Sequence, residues 1–72
     1  PLNGIYVLVR QYGGKTAMTI ENGNRKEAQL QVKHYAEIIK KATTATDILT
    51  GQKVDLTKNI TLPQRGVMVL AF

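Results

Sequence analysis

The sequence predicts an all-β fold, an antiparallel two-sheet β-sandwich of about seven strands, Greek-key-like, with one short helix near residues 34–41. Three observations lead to this class. Short runs rich in β-branched and aromatic residues recur at a spacing of roughly 8–12 residues or less, with turn residues between them. One run alternates strictly between apolar and polar residues, and only one segment has a helical period. The 72 residues are expected to form a single domain, residues 1–72.

The first half of the chain has the pattern of a β-meander. Gly4–Tyr12 is rich in β-branched and aromatic residues, and Gly13-Gly14 separates it from a similar run, Lys15–Glu21. Asn22-Gly23-Asn24 then precedes a third run, Lys26–Val32. Glycine and asparagine tolerate the positive φ angles that tight hairpin turns require. We therefore expect a hairpin at each of these two turns.

The runs differ in how many of their faces are apolar. In Lys26–Val32 every second residue is polar, which predicts a strand with one face in water. Gly4–Tyr12 has apolar residues at both odd and even positions, and the final run, Val67–Phe72, is apolar throughout. One face of each apolar strand would pack on the other sheet. The second face must meet a helix, a loop or another domain.

A change of period marks the predicted helix at His34–Lys41. Tyr35, Ile38 and Ile39 are spaced i, i+3 and i+4, which places them on one face of about two helical turns. A helix this short is unstable in isolation, so this face is expected to dock on the sheets.

The last third of the chain is predicted to contain four short strands. Thr46–Thr50 and Gln52–Leu56 flank Gly51, and Ile60–Leu62 follows a break at Thr57–Asn59. A turn that contains proline and glycine then leads into the final strand.

The chain is basic, with a formal net charge of +5. Its lysine and arginine residues are spread over the whole length, and no run is longer than two. Because nucleic-acid binding usually shows as a cluster on one face, we expect a solvated surface and no nucleic-acid partner. A small basic β-barrel that binds nucleic acid stays open as an alternative.

The composition also bears on how the domain is stabilised. No apolar run approaches the ~20 residues that span a bilayer, so no membrane partner is expected. The chain has no cysteine, and it begins with proline rather than methionine. Small domains without disulfide or metal cross-links often depend on a neighbour. We therefore expect a piece of a longer chain that a neighbouring domain or subunit stabilises.

No set of side chains has the pattern of a catalytic, cofactor or metal site. The chain has no serine, and His34 is its one histidine. Its carboxylates are expected at the surface, with a structural role for Asp47 near the bend at Ala45–Thr46. Gly14-Lys15-Thr16 is similar to the end of a phosphate-binding loop, but a strand follows it where that loop needs a helix. We expect no catalytic, cofactor-binding or metal-binding residue, so the fragment alone should not be an enzyme.

Three tyrosines are candidates for stacking on a sugar or a base. Tyr35 is needed to dock the helix, which leaves Tyr6 and Tyr12 as candidate weak sugar contacts. Asn59-Ile60-Thr61 also satisfies the N-glycosylation pattern, which matters only in a eukaryotic secretory route.

Several segments together carry a family resemblance. They are Asp47-Ile48-Leu49-Thr50-Gly51, Val54-Asp55-Leu56-Thr57-Lys58, Ile60-Thr61-Leu62-Pro63 and Gly66-Val67, with Gly4–Arg10, Lys15–Ile20 and Lys33–Ile39 before them. In order and spacing they resemble the C-terminal β-domain of α-amylase-family glycoside hydrolases, most closely the cyclomaltodextrinase and neopullulanase branch. The chain departs from that pattern in its Ala71-Phe72 ending, where an acidic ending is common, and in the less apolar second run.

The resemblance implies a non-catalytic domain that follows a (β/α)8 barrel in a bacterial α-glucan-hydrolysing enzyme. The catalytic carboxylates of that family lie on the barrel, so no catalytic residue carries over to this chain. The implied function is to pack on the barrel and stabilise it. An α-glucan-binding module that uses Tyr6 or Tyr12 is the alternative. Self-association through the docking face is a further expectation, and the N-terminus of the parent would decide between cytoplasm, periplasm and secretion.

Overall fold

The computed structural model describes residues 3–72, in which seven strands form two antiparallel sheets. The strands in chain order are β1 (Ile5–Tyr12), β2 (Lys15–Asn22), β3 (Ala28–Leu30), β4 (Thr44–Asp47), β5 (Lys53–Asp55), β6 (Ile60–Leu62) and β7 (Val67–Ala71). Between β3 and β4, a 3-10 turn at Val32–Tyr35 leads into the short helix α1 (Ala36–Ile39). The predicted class, a two-sheet β fold with one short helix, is confirmed.

The larger sheet has the strand order β1-β2-β7-β4-β5, and the smaller sheet pairs β3 with β6. The β7 strand lies in the middle of the larger sheet and pairs with both β2 and β4. Two backbone hydrogen bonds between Thr16 and Phe72 extend the β2–β7 ladder beyond the end of β7. The sheet is therefore two hairpins, β1–β2 and β4–β5, joined by β7.

The core lies between the two sheets. Its buried apolar side chains are Ile5, Met18, Ile20, Leu30, Ile39, Ala45, Leu56, Ile60, Leu62 and Leu70. On the smaller sheet, Leu30 and Ile60 are paired and face the core, whereas the paired Gln29 and Thr61 are exposed on the other side. This alternation is the period of two that a strand with one solvated face requires.

The first predicted hairpin is confirmed. Tyr12 pairs with Lys15 across a two-residue turn. Gly13 and Gly14 both have positive φ, +57° and +77°, as the turns that suit a right-twisted hairpin require.

The second predicted hairpin is wrong, because β2 does not pair with β3. After β2 the chain leaves the larger sheet, and β3 pairs with β6 in the smaller one. Asn22 is completely buried at this crossing, with its Nδ2 group 3.2 Å from the carbonyl oxygen of Leu62 and 2.9 Å from that of Pro63. The asparagine side chain thus connects the larger sheet to the end of β6, rather than forming a turn in water.

The helical segment begins earlier than predicted and is only partly α-helical. The 3-10 turn starts at Val32, which shortens the strand predicted over Lys26–Val32. Docking follows the predicted face, since Ile39 is buried and Tyr35 and Ile38 are half-buried against the core.

The strand predicted at Thr46–Thr50 begins two residues earlier and ends three residues earlier, at Thr44–Asp47. The chain turns immediately afterwards because the Asp47 carboxylate accepts hydrogen bonds from the amide of Leu49 at 3.1 Å and the hydroxyl of Thr50 at 3.3 Å. Aspartate commonly forms turns in this way by bonding the backbone two residues on.

The remaining strands agree with the prediction to within one residue at each end. The predicted Gln52–Leu56 corresponds to Lys53–Asp55, and Ile60–Leu62 is unchanged. The final strand ends at Ala71, one residue before its predicted limit.

Candidate functional site

The candidate functional surface is the outer face of the larger sheet, opposite the core. Strand register arranges its side chains in rows across the sheet: Tyr6, Glu21 and Val67; then Leu8, Thr19 and Val69; then Arg10, Ala17, Ala71, Thr46 and Lys53. The first two rows are mostly apolar, and the third has a cation at each end. Because successive side chains of a strand point to opposite faces, none of these residues can also contribute its side chain to the core.

Five side chains of this face form what we call the outer apolar patch: Tyr6, Leu8, Ile48, Val67 and Val69. The exposed fractions of the first four are 53%, 55%, 61% and 43%. Ile48 joins the second row because its amide donates to the carbonyl oxygen of Val69 at 2.9 Å. Strands in a sheet lie 4.7–4.9 Å apart, so the patch extends roughly 14 Å from β1 to β4. Adjacent exposed apolar residues indicate an interaction surface, whereas scattered ones do not.

A groove of about 370 Å³ runs through the patch beside Tyr6. It is lined by Tyr6, Val7, Leu8, Thr19, Glu21 and Val67. The Tyr6 ring packs on the backbone at Gly23, where an added Cβ would lie 2.9 Å from Cε2 of the ring. The Glu21 carboxylate and the Thr19 hydroxyl supply the polar groups of a site whose other walls are apolar.

The structure places the three tyrosines at three separate positions. Tyr6 and Tyr12 share the outer face of β1, but the separation of six positions corresponds to roughly 20 Å along the strand. Tyr12 is 66% exposed beside the hairpin turn, outside the groove. Tyr35 is half-buried and lines a small cavity with Ile5 and Leu30. The tyrosines therefore do not form one stacking platform, and Tyr6 alone adjoins the groove.

Asp47 was expected at the surface, and this expectation is wrong. Its side chain is only 5% exposed, and its Oδ1 atom accepts a hydrogen bond from the amide of Val69 at 3.3 Å as well as from that of Leu49. This carboxylate joins β4 to β7 and fixes the turn that carries Ile48. The structural role expected for Asp47 is therefore observed, although at the turn after β4 and not at Ala45–Thr46, which lie within the strand.

The other carboxylates and the histidine lie at the surface. Glu21, Glu27, Glu37 and Asp55 are exposed, and so is His34. The hydroxyl and the amide of Thr57 donate to Asp55 and, with a smaller effect from nearby Lys58, hold the pKa of its carboxyl below its usual value. Over residues 3–72, no three histidine, cysteine, aspartate or glutamate side chains come together in a way that could hold a metal ion.

The two remaining sequence motifs, Gly14-Lys15-Thr16 and Asn59-Ile60-Thr61, lie at a hairpin turn and at the start of a strand. Gly14 belongs to the hairpin turn, while Lys15 and Thr16 begin β2, so no helix follows this glycine as a phosphate-binding loop needs. Asn59 is exposed just before β6. In the described part of the chain, no helix has the length and apolar character that crossing a membrane requires.

The basic side chains are all exposed, and they belong to several different surfaces. Arg10 and Lys53 lie at opposite ends of the third row of the outer face, where Lys53 Nζ donates to the Thr46 hydroxyl at 3.0 Å. Arg25 and Lys26 lie in the crossing between the sheets. Lys33, Lys40 and Lys41 line one depression, and Lys15 and Lys40 line another, so part of the positive charge is clustered.

Comparison with known proteins adds two findings. The model of the family described as Cyclo-malto-dextrinase C-terminal domain matches residues 1–71. Among solved structures, the chain is similar to part of the beta-galactosidase from Bacillus circulans sp. alkalophilus, with 28% sequence identity and a TM-score of 0.71. The match covers 94% of this chain but 9% of that one, so the chain spans about a tenth of the length of that structure.

Proposed function

This chain belongs to the cyclo-malto-dextrinase C-terminal domain family, and from that premise we propose that it packs on the catalytic (β/α)8 barrel of a larger glycoside hydrolase and stabilises it. The parent enzyme acts on α-glucans in this proposal, and its chemistry belongs to the barrel. The domain itself supplies no catalytic group. The observation that carries the proposal is the outer apolar patch.

The patch has the make-up of an inter-domain contact. Aromatic and aliphatic side chains occupy its centre, while Glu21 and Arg10 lie within and beside it, as polar residues do at the rim of an interface. Domain interfaces within one chain bury about 600–1,500 Å², and each Å² of apolar surface removed from water contributes roughly 25 cal/mol. Covering exposed Tyr6, Leu8 and Ile48 would therefore stabilise both domains.

The two outer faces of the sandwich differ, and this difference favours one of them for docking. The outer face of the smaller sheet presents the exposed polar side chains of Gln29 and Thr61. The outer face of the larger sheet presents the apolar patch instead. A polar strand face is stable in water, whereas the apolar one gains free energy when another surface covers it.

The two comparisons also support a structural role. One names a cyclo-malto-dextrinase domain and the other a beta-galactosidase, which are two differently named enzymes. A domain shared between them favours a task that does not depend on one sugar, such as stabilising the neighbouring domain.

The experiment introduces a charge into the patch of the full-length parent enzyme. Leu8→Glu should lower the melting temperature of the catalytic domain, because docking would then remove a carboxylate from water at an apolar domain interface. We expect a loss above about 1 kcal/mol in interface free energy, which is typical of a central interface residue. Differential scanning calorimetry of the parent and urea unfolding of the 72-residue chain separate interface effects from folding effects.

Gln29→Glu is the matched control, since it places the same carboxylate on the polar outer face. It should leave both melting temperatures unchanged, and Leu8→Glu should leave the 72-residue chain within about 0.5 kcal/mol of the original. If Leu8→Glu had no effect on the parent, the outer apolar patch would not be its docking face. In the 72-residue chain the uncovered patch should promote weak self-association, which Leu8→Glu would abolish.

A second candidate function is α-glucan binding, and the groove beside Tyr6 favours it. A sugar ring stacked on Tyr6 could bond the Glu21 carboxylate and the Thr19 hydroxyl, which both line that groove. Pockets of about 300–1,000 Å³ are of the size that small ligands occupy.

Titration with maltoheptaose or β-cyclodextrin, followed by NMR, tests this second function. Binding in the groove predicts shifts of the Tyr6 and Thr19 resonances, and Tyr12 serves as an internal reference outside the groove. The absence of shifts at millimolar sugar would eliminate the sugar-binding function and leave the docking function untouched.

A further inference from the structure

The sequence contains two Asn-Gly dipeptides, Asn3-Gly4 before β1 and Asn22-Gly23 at the end of β2. This dipeptide is prone to spontaneous deamidation because glycine has no side chain to shield its backbone nitrogen. That nitrogen attacks Cγ of the asparagine, a ring C–N bond forms and the Cγ–Nδ2 bond breaks. Ammonia leaves with the proton that the glycine nitrogen gives up. Water then opens the succinimide ring at either carbonyl, giving aspartate or isoaspartate.

The fold engages both reacting groups of Asn22-Gly23 in hydrogen bonds. The Nδ2 group of Asn22 donates to three backbone carbonyl oxygens: those of Lys26 at 3.0 Å, Leu62 at 3.2 Å and Pro63 at 2.9 Å. The amide of Gly23, which would be the nucleophile, donates to the carbonyl oxygen of Gly4 at 2.9 Å. Asn22 is 0% exposed. Ring closure therefore requires this end of β2 to open first.

The product of the reaction cannot make the bonds that the asparagine makes. Conversion replaces Nδ2 with an oxygen, so an ionised carboxylate would face three carbonyl oxygens and have no proton to donate. The other oxygen would keep its hydrogen bonds from the backbone amide and Nδ2 of Asn24, but the oxygen in place of Nδ2 would be repelled by the carbonyl oxygens around it. Burying a charge with such a contact destabilises a fold strongly. Isoaspartate would in addition lengthen the backbone between Asn22 and Gly23. Once converted, this segment cannot return to its closed arrangement.

Asn3 lies in the opposite kind of environment. It is exposed, and its contact with the crossing is through its backbone carbonyl oxygen, which accepts from Asn24 Nδ2 at 2.8 Å. That bond does not involve the side-chain amide that the reaction removes. Its φ of +55° lies in the left-handed region, which aspartate tolerates as asparagine does.

We propose that Asn22-Gly23 is a fold-gated deamidation site. It is protected while the end of β2 is closed, and after local opening it converts to a form that cannot refold. Asn3-Gly4 converts in the folded chain, and its aspartate product leaves the fold intact. The same dipeptide is thus protected at one position of the folded chain and reactive at the other. Deamidation of Asn22 after local opening is the step that makes unfolding irreversible.

The test follows both sites in one sample. The 72-residue chain is incubated in mildly alkaline buffer, once without denaturant and once in urea above its unfolding midpoint, and is digested with trypsin at intervals. Cleavage after Arg10, Lys15 and Arg25 separates residues 1–10, which carry Asn3, from residues 16–25, which carry Asn22. Mass spectrometry with fragment ions then gives the conversion rate at each asparagine. Asn59, which precedes a β-branched isoleucine, is an internal slow reference.

We expect similar rates at Asn3 and Asn22 in urea, because the dipeptide is the same. Without denaturant, Asn3 should still convert, while Asn22 should slow by at least about 100-fold, since only the rare open form can react. Equal rates at the two sites in the folded chain would overturn the proposal.

Two variants test the irreversible step separately. Asn22→Asp should abolish the cooperative unfolding transition or lower its midpoint far below that of the original chain. Asn3→Asp, the matched control, should keep the midpoint within experimental error. An Asn22→Asp chain with the original midpoint would show that the buried carboxylate is tolerated, and the proposal would be wrong.

Discussion

Glycine-containing turns of similar composition lie at both ends of β2, but one is open to solvent and the other is packed against the rest of the domain. At Gly13-Gly14 both φ angles are positive, and a Cβ added to either residue would meet nothing within 4 Å. At Asn22-Gly23 the asparagine is fully buried, and a Cβ added to Gly23 would lie 3.1 Å from the carbonyl oxygen of Gly4. The first turn reverses the chain in water within one sheet. The second takes the chain into the other sheet.

This difference shows that turn residues specify local backbone geometry but not the partner strand. Gly13-Gly14 forms a tight hairpin because both residues adopt the positive φ angles that such a turn requires. At the other end of β2, the Asn22 side chain donates to the carbonyl oxygen of Leu62 in the smaller sheet and to that of Lys26 in the crossing. The strand that pairs with the second edge of β2 is β7, and not β3. Three substitutions at these turns test the difference, and their expected effects decrease from Asn22 to Gly13.

Asn22→Ala should cause the largest loss. It removes the donor to the carbonyl oxygens of Leu62 and Pro63 and the acceptor for the Asn24 amide, all made by a fully buried side chain. Each buried polar group left unpaired costs about 1–3 kcal/mol, so we expect a loss of at least roughly 3 kcal/mol in the free energy of unfolding. Urea unfolding of the 72-residue chain measures it. Asn59→Ala, at an exposed position, is the control, and a loss below 1 kcal/mol at Asn22 would contradict the role given to this side chain.

Gly23→Ala should have an intermediate effect. The added methyl group would press on the Tyr6 ring and on the Gly4 carbonyl oxygen, which costs about 1–3 kcal/mol when extra atoms enter a packed site. The Tyr6 ring should also shift, and its NMR resonances should move. Unmoved Tyr6 resonances would show that the ring does not rest on this glycine.

Gly13→Asn should have the smallest effect, within about 0.5 kcal/mol of the original chain, because asparagine followed by glycine suits a turn with positive φ at both positions. Gly13→Val is the matched contrast, since a β-branched residue at a φ of +57° is strained. Urea unfolding compares the two. Equal stability of the valine and asparagine variants would mean that this turn does not constrain the hairpin.

The sequence predicts those features that depend on local pattern. The class of the fold follows from short strands and turns, and the β1–β2 hairpin follows from Gly13-Gly14. The apolar residues on both faces of the first run, which include Tyr6 and Leu8, predict part of the outer apolar patch. Each of these depends on residues that are neighbours along the chain, so periodicity is sufficient to find them.

Features that depend on distant residues were not predictable in this way. The carbonyl oxygens that bury Asn22 come partly from residues 40 and 41 positions further along, so this asparagine looks like an ordinary turn residue. Asp47 was missed for a related reason, because one of its donors, the Val69 amide, lies 22 residues away. The apolar pair Ile48-Leu49 then has the composition of a strand although it forms an exposed turn.

The position of β7 has a consequence for the order in which the domain can form during synthesis. The strand that leaves the ribosome last among the seven lies in the middle of the larger sheet, between β2 and β4. A nascent chain that has not yet extended past Ala71 therefore has two hairpins with no strand to join them. The edge of β2 that pairs with β7 therefore stays without its partner strand until residues 67–71 have been synthesised.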